Sequence, residues 1–149
     1  MAPIIESADV NRPATDVYAY VTDPTRFSEW QQGVVSGRME TDDHAGPHRC
    51  ITVRRVGFSK QQTTSELVHA EPPKTWSVSG IDGPIRARVD VTVVPTGNAT
   101  SHVTISVDFA GHGIGKLLVP LVVQRQARRE MPVNLLNLKS RLEVAAATS

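Results

Sequence analysis

Apolar and polar residues alternate with a period of two through most of the chain and switch to helical spacing near its end. Ile85, Ala87, Val89, Val91 and Val93 alternate with Arg86, Arg88, Asp90 and Thr92. That is the pattern of a strand with one buried and one wet face. Pro95-Thr96-Gly97-Asn98 supplies a turn, after which Val103, Ile105, Val107 and Phe109 alternate with His102, Thr104, Ser106 and Asp108. The two runs predict a hairpin. Further strands are predicted over 4–10, 34–40, 48–56, 60–70 and 75–81, each bounded by Gly, Pro or Asp clusters.

Helical spacing occurs in three places. Val17, Tyr18 and Val21 follow Asn11-Arg12-Pro13, and Asp23-Pro24 ends that helix because proline disfavours helical geometry in the residue before it. A second short helix over 25–30 sets Phe27 and Trp30 on one face. From Gly113 to Glu143 the stripe Leu117, Leu121, Met131, Leu135, Leu138 and Leu142 predicts one long helix, or two joined at Pro132. Proline at 132 deprives the Arg128 carbonyl of its usual partner and is expected to bend the helix. One strand, two short helices, an antiparallel meander and a long terminal helix give an α+β order. A curved sheet laid over one helix leaves a gap, which is the expected ligand cavity.

The chain has 149 residues, 40% hydrophobic and 21% charged, the size and composition of one globular domain over 1–149. Sixteen basic and fifteen acidic residues leave a formal charge of +1. So small a balance argues against a dedicated nucleic-acid or acidic-membrane binder. Residues 1–10 lack a basic n-region, and no segment reaches membrane-spanning length. Cys50 is the one cysteine and so has no internal disulfide partner. A cytoplasmic location is the expectation.

Several short motifs, in this order and spacing, carry a resemblance. They are Val10-Asn11-Arg12-Pro13-Ala14 with Val17, Tyr18 and Val21, then Asp23-Pro24 with Phe27 to Trp30. Val68, the Glu71-Pro72-Pro73 turn, Trp76 and Pro95-Thr96-Gly97 follow, and the last is Gly113 to Leu118 opening a helix that closes with Leu138-Lys139 and Leu142-Glu143. Nearly the whole chain resembles the START-like superfamily, which includes the bacterial polyketide cyclase/dehydrase and lipid-transport group and the plant pollen-allergen fold. The resemblance implies a helix-grip fold, with a curved antiparallel sheet around the terminal helix and an internal cavity. That fold hosts cyclases, hydrolases, carriers and receptors, so it implies no catalytic residue here.

On that expectation the cavity is lined by Phe27, Trp30, Trp76, Val89, Val91, Leu117, Leu121 and Met131. Gln124 and Arg128 are polar members of the helical stripe, placed to orient a ligand carbonyl, carboxylate or hydroxyl. The alternative for Arg128 is a phase shift at Pro132 that sends its side chain to water or pairs it with a sheet carboxylate. Trp76 and the pair Phe27 and Trp30 serve equally as ordinary core. His44, His48 and Cys50 form a His-x3-His-x-Cys cluster, short of a four-ligand zinc signature, and no metal or cofactor is expected. Gly111-His112-Gly113-Ile114-Gly115-Lys116 lacks the spacing and hydroxyl of a phosphate loop; its glycines suit a sharp turn from strand to helix. Arg54-Arg55 reads as a solvated basic face, without the interleaved aromatics of nucleic-acid binders. The expected partner is a small hydrophobic ligand of lipid, polyketide or isoprenoid type, bound or carried by a monomer or dimer. A polyketide cyclase or dehydratase using the same pocket, and a regulatory protein with a vestigial cavity, are the alternatives.

Overall fold

The computed structural model describes residues 2–40, 48–56 and 58–147. Seven strands form one antiparallel sheet: β1 (Ile4–Val10), β2 (Val34–Glu40), β3 (Arg49–Val56), β4 (Ser59–Glu71), β5 (Thr75–Gly80), β6 (Ile85–Pro95) and β7 (Ser101–Gly111). Their order across the sheet is β1-β7-β6-β5-β4-β3-β2. The first strand therefore closes against the last, and the remainder is a meander of neighbours. The predicted hairpin is β6–β7, in register from Ile85 opposite Gly111 to Pro95 opposite Ser101.

Between β1 and β2 lie α1 (Ala14–Val21), a 3-10 turn over Pro24–Arg26 and α2 (Phe27–Trp30). Asp23 caps the 3-10 turn, its carboxylate accepting from the Thr25 amide at 3.0 Å. After β7 come α3 (Gly115–Leu118), a π-helical turn over Val119–Val123 and α4 (Gln124–Ala147). Among the described residues no helix is long and apolar enough to cross a membrane.

The helices cover one face of the sheet. Val103, Val93, Val91 and Ile105 from the sheet, Val17 and Val21 from α1, and Met131, Leu135, Leu138 and Leu142 from α4 share one buried cluster. The far end of α4 is pinned by the first turn of the chain. Arg12 Nη1 donates to the Leu142 carbonyl at 2.7 Å, and the Asn11 amide donates to Glu143 Oε1 at 3.3 Å. The α+β helix-grip architecture expected from the sequence is the observed one.

The terminal segment runs through Pro132 as one α-helix, one of the two forms expected, but its phase departs from expectation: an irregularity falls one helical stretch earlier, where Pro120 enters the π turn. Pro120 has no amide hydrogen to donate back one α turn, and the Gln124 amide reaches the Val119 carbonyl five residues back. The wider turn absorbs an extra residue and rotates everything before it. Leu117 and Leu121, inward at regular α spacing, are consequently 65% and 64% exposed, while Gly115 and Val119 face inward instead.

The glycine-rich segment is a turn, as expected. Gly113 has φ +60°, a conformation that costs little only without a β-carbon. Gly115 lets α3 start against the β5–β6 loop: a β-carbon there would run into the Pro84 carbonyl.

Candidate functional site

Register determines which side chains the sheet turns toward the helices, because residues directly opposite each other on neighbouring strands share a face. Val91 faces Ile105 and Trp76, and Val89 faces Val107 and Val78. Leu67 pairs with Val78, and Ser65 pairs with both Gly80 and Cys50. Thr52 lies opposite Thr63 and Gly37, and Arg54 lies opposite Gln61. The inner face is therefore apolar over β7, β6 and β5 and becomes mostly polar over β4 and β3.

The two ends of this face are packed differently. Where α1 and the second half of α4 lie, Val91, Val93, Val103 and Ile105 are all buried. Toward the β5–β6 loop and α3, the inner-face residues Leu67, Ala87, Val89 and Phe109 are only half-buried. The roof over that end belongs to the α3–π–α4 segment, whose Leu118, Val123 and Ala127 are half-buried too. This less filled half of the inner face is the candidate site.

Phe27, Trp30 and Trp76 do meet. Phe27 and Trp30 stand edge to face with ring centroids 5.8 Å apart, and Phe27 and Trp76 likewise at 6.3 Å. With Val91 and Met131 they belong to the buried cluster, and Val89 packs against it. Gln124 is inward and buried, its Nε2 donating to the Ala2 carbonyl at 3.1 Å. Leu117, Leu121 and Arg128 are exposed, so the inward positions expected for these three are corrected. The π turn accounts for the leucines. Arg128 lies at the margin of the buried stripe, where a long side chain reaches water.

Two buried polar atoms have no hydrogen-bond partner among the described residues: Trp30 Nε1 and Gln124 Oε1. Each such group costs about 1–3 kcal/mol unless something satisfies it. They are set apart, Gln124 at the start of α4 and Trp30 beside Asn134 and Asn137 further along. The Asn134 side chain accepts from the Gln32 amide at 3.0 Å, and Asn137 Nδ2 donates to the Trp30 carbonyl at 3.4 Å.

The feature that sequence reasoning missed is Arg54. Read as solvated, it lies instead on the inner face, half-buried, with Nη2 donating to Gln31 Oε1 at 3.0 Å. Burial pushes its pKa down and the negative charge of Glu130 on α4 holds it up, and an arginine remains protonated throughout the neutral range. Thr52 and Thr63 extend the polar strip, their hydroxyls 2.8 Å apart. The available signal was strand alternation: Cys50, Thr52 and Arg54 share a face at spacing two, but only the pairing partners reveal which face.

Cys50 is buried on the inner face, His48 is exposed, and His44 lies outside the described residues. Burial pushes the Cys50 thiol up to about 11 despite the nearby Arg54 charge, so at neutral pH it is an apolar wall rather than a nucleophile. Two grooves also lie on the molecule. One of 570 Å³ runs between α1, α2 and the end of α4, lined by Arg12, Tyr20, Glu29 and Arg141. The other, of 220 Å³, lies at the ends of β5, β6 and β7 and reaches Ala87 and Phe109 at the half-open end of the inner face.

Comparison with solved structures shows the same fold. The aromatase/cyclase Zhui from Streptomyces sp. R1128 superposes with a TM-score of 0.77 at 10% identity, over 95% of this chain and 93% of that one. TTHA0849 from Thermus thermophilus does so with a TM-score of 0.74 at 18% identity, over 96% and 98%. The di-domain ARO/CYC BexL of the BE-7585A biosynthetic pathway also matches, with a TM-score of 0.74 at 18% identity. The match covers 98% of this chain and 48% of BexL, so the chain spans about half of that protein's length. At these identities the likeness is one of fold. No curated protein matches the chain in sequence. The family model described as polyketide cyclase / dehydrase and lipid transport matches residues 1–143, and the chain accordingly belongs to that family.

Proposed function

We propose that this protein binds a small, mostly apolar molecule carrying an oxygen-rich head, and shelters it between the inner face of the sheet and the α3–α4 segment. The single observation behind this reading is Arg54: a half-buried cation on the inner face, at the end of the polar strip that adjoins the apolar floor. Nη2 is given to Gln31 Oε1 and the Glu130 charge lies nearby, and we read the other donors of the five-donor guanidinium fork as the group that meets an acidic or carbonyl head. Leu67, Val89 and Phe109 supply the apolar contact, and Arg54 with Gln31 supplies the oriented donors. Trp30 Nε1 is a further donor in the same region. Few polar groups in a largely apolar lining is the usual composition of a small-molecule site.

Native mass spectrometry of the protein purified from its own host tests for a retained small molecule. Titration with a long-chain fatty acid and the matching alcohol, followed by tryptophan fluorescence, tests the role of Arg54. Arg54→Met is expected to weaken the acid by roughly tenfold to a hundredfold, as for a lost hydrogen bond to a charged group, and to leave the alcohol nearly unchanged. No retained mass together with no binding of either probe would overturn the proposal.

A further inference from the structure

The outer side of the segment that roofs the half-open end is unusual for a surface. Ile114, Leu117, Leu121 and Val122 are 66%, 65%, 64% and 51% exposed. Their spacing and the π turn place them together on the side away from the sheet. Clusters of exposed aliphatic side chains mark a contact surface, whereas isolated ones do not. Charge gives the second observation. Between Asp108 and Glu130 the sequence holds no acidic residue and four basic ones: Lys116, Arg125, Arg128 and Arg129. All four are exposed, and among the described residues none forms an ion pair. The net charge of +1 averages over this concentration.

We infer that this surface docks on an anionic lipid bilayer, lying in the interfacial plane with the aliphatic cluster in the acyl boundary and the four cations among acidic headgroups. A second copy of the chain fits less well. A two-fold contact sets the same patch against itself and would bring the cations of both copies together. A protein partner is less favoured because the apolar members are aliphatic and project from a helix, where protein interfaces concentrate aromatic anchors in pockets. A bilayer needs no such pocket. The inference concerns the outer surface and holds whether or not a ligand occupies the inner face. Its mechanical interest is that the docked segment is also the roof of the candidate site.

Vesicle flotation of the full chain tests this, with phosphatidylcholine alone and with phosphatidylcholine mixed with phosphatidylglycerol. Binding is expected to the mixed vesicles only and to fall as salt is raised. Arg128→Glu with Arg129→Glu should lower partitioning by at least roughly fivefold for each cation reversed. Leu117→Asp with Leu121→Asp should abolish it. Val94→Asp, at an exposed position on the outer face of β6, should leave it unchanged. Thermal unfolding by circular dichroism accompanies each variant, and if the leucine pair fails to fold, the arginine pair carries the test. Three results would overturn the inference: no flotation, equal flotation with uncharged vesicles, or flotation indifferent to both variant pairs. Sedimentation velocity showing a dimer dissolved by the leucine pair, without flotation of the parent chain, would assign the surface to a second copy.

Discussion

At the scale of single residues the interior is sensitive in ways that depend on each environment. Leu138 is fully buried beneath the sheet, and Leu138→Ala is expected to cost about 2–5 kcal/mol through lost contacts and the cavity left behind, measurable by urea unfolding. Cys50 should react slowly with an aromatic disulfide reagent in the folded state and rapidly once unfolded. Its folded-state reactivity should rise only as pH approaches about 11. Asp90 gives a pH dependence on the outer face. Partial burial pushes its pKa up, but hydrogen bonds from Ser77 at 2.6 Å and from Arg88 outweigh this, and the folded value lies below the ordinary 3.8. A depressed folded pKa means the carboxylate stabilises the fold above its unfolded pKa and stops doing so as pH falls through the folded value. The stability difference between the parent chain and Asp90→Asn should therefore be constant near neutrality and shrink below pH 3.8, as read by denaturation midpoints across the acid range.

At the scale of elements, the strands were legible because alternation needs no knowledge of neighbours. Val89, Val91, Val103 and Ile105 point inward as the pattern required. Helix phase was not, because it accumulates along the chain, and one π turn at Pro120 was enough to carry Leu117 and Leu121 outward. Two prolines in one helical stretch look alike in sequence, yet 120 marks the irregularity and 132 is accommodated. Arg54 was illegible for a related reason: its strand alternates cleanly, but a one-residue ambiguity in pairing exchanges inner and outer faces. Two substitutions separate these local effects. Pro132→Ala restores an amide donor within α4 and should raise stability by about 1–3 kcal/mol. Gly115→Ala forces a β-carbon onto the Pro84 carbonyl and should lower it by about 1–3 kcal/mol, as overpacking does. Both are read from thermal midpoints.

At the scale of the whole molecule, one half of the inner face is closely packed and the other, at Leu67, Ala87, Val89 and Phe109, is only half-buried. Any molecule that binds only the folded chain adds RT ln(1 + [L]/Kd), about 2.7 kcal/mol at a hundredfold excess over Kd. The thermal midpoint should therefore climb with probe concentration, and in Arg54→Met the climb should move to roughly tenfold to hundredfold higher concentration for the acid and stay in place for the alcohol. The strand order has a different consequence. An open sheet ends in two margins whose backbone amides and carbonyls lack a neighbour, and such margins recruit foreign strands and seed aggregates. Here β1 is shielded by the terminal helix, whose Lys139 ammonium donates to the Asp9 carbonyl at 2.6 Å. At the other margin β2 breaks register between Val34 and Ser36 and carries Arg38 and Glu40. A kinked, charged border offers no straight template, so a sheet open at both margins is guarded against pairing with its own kind.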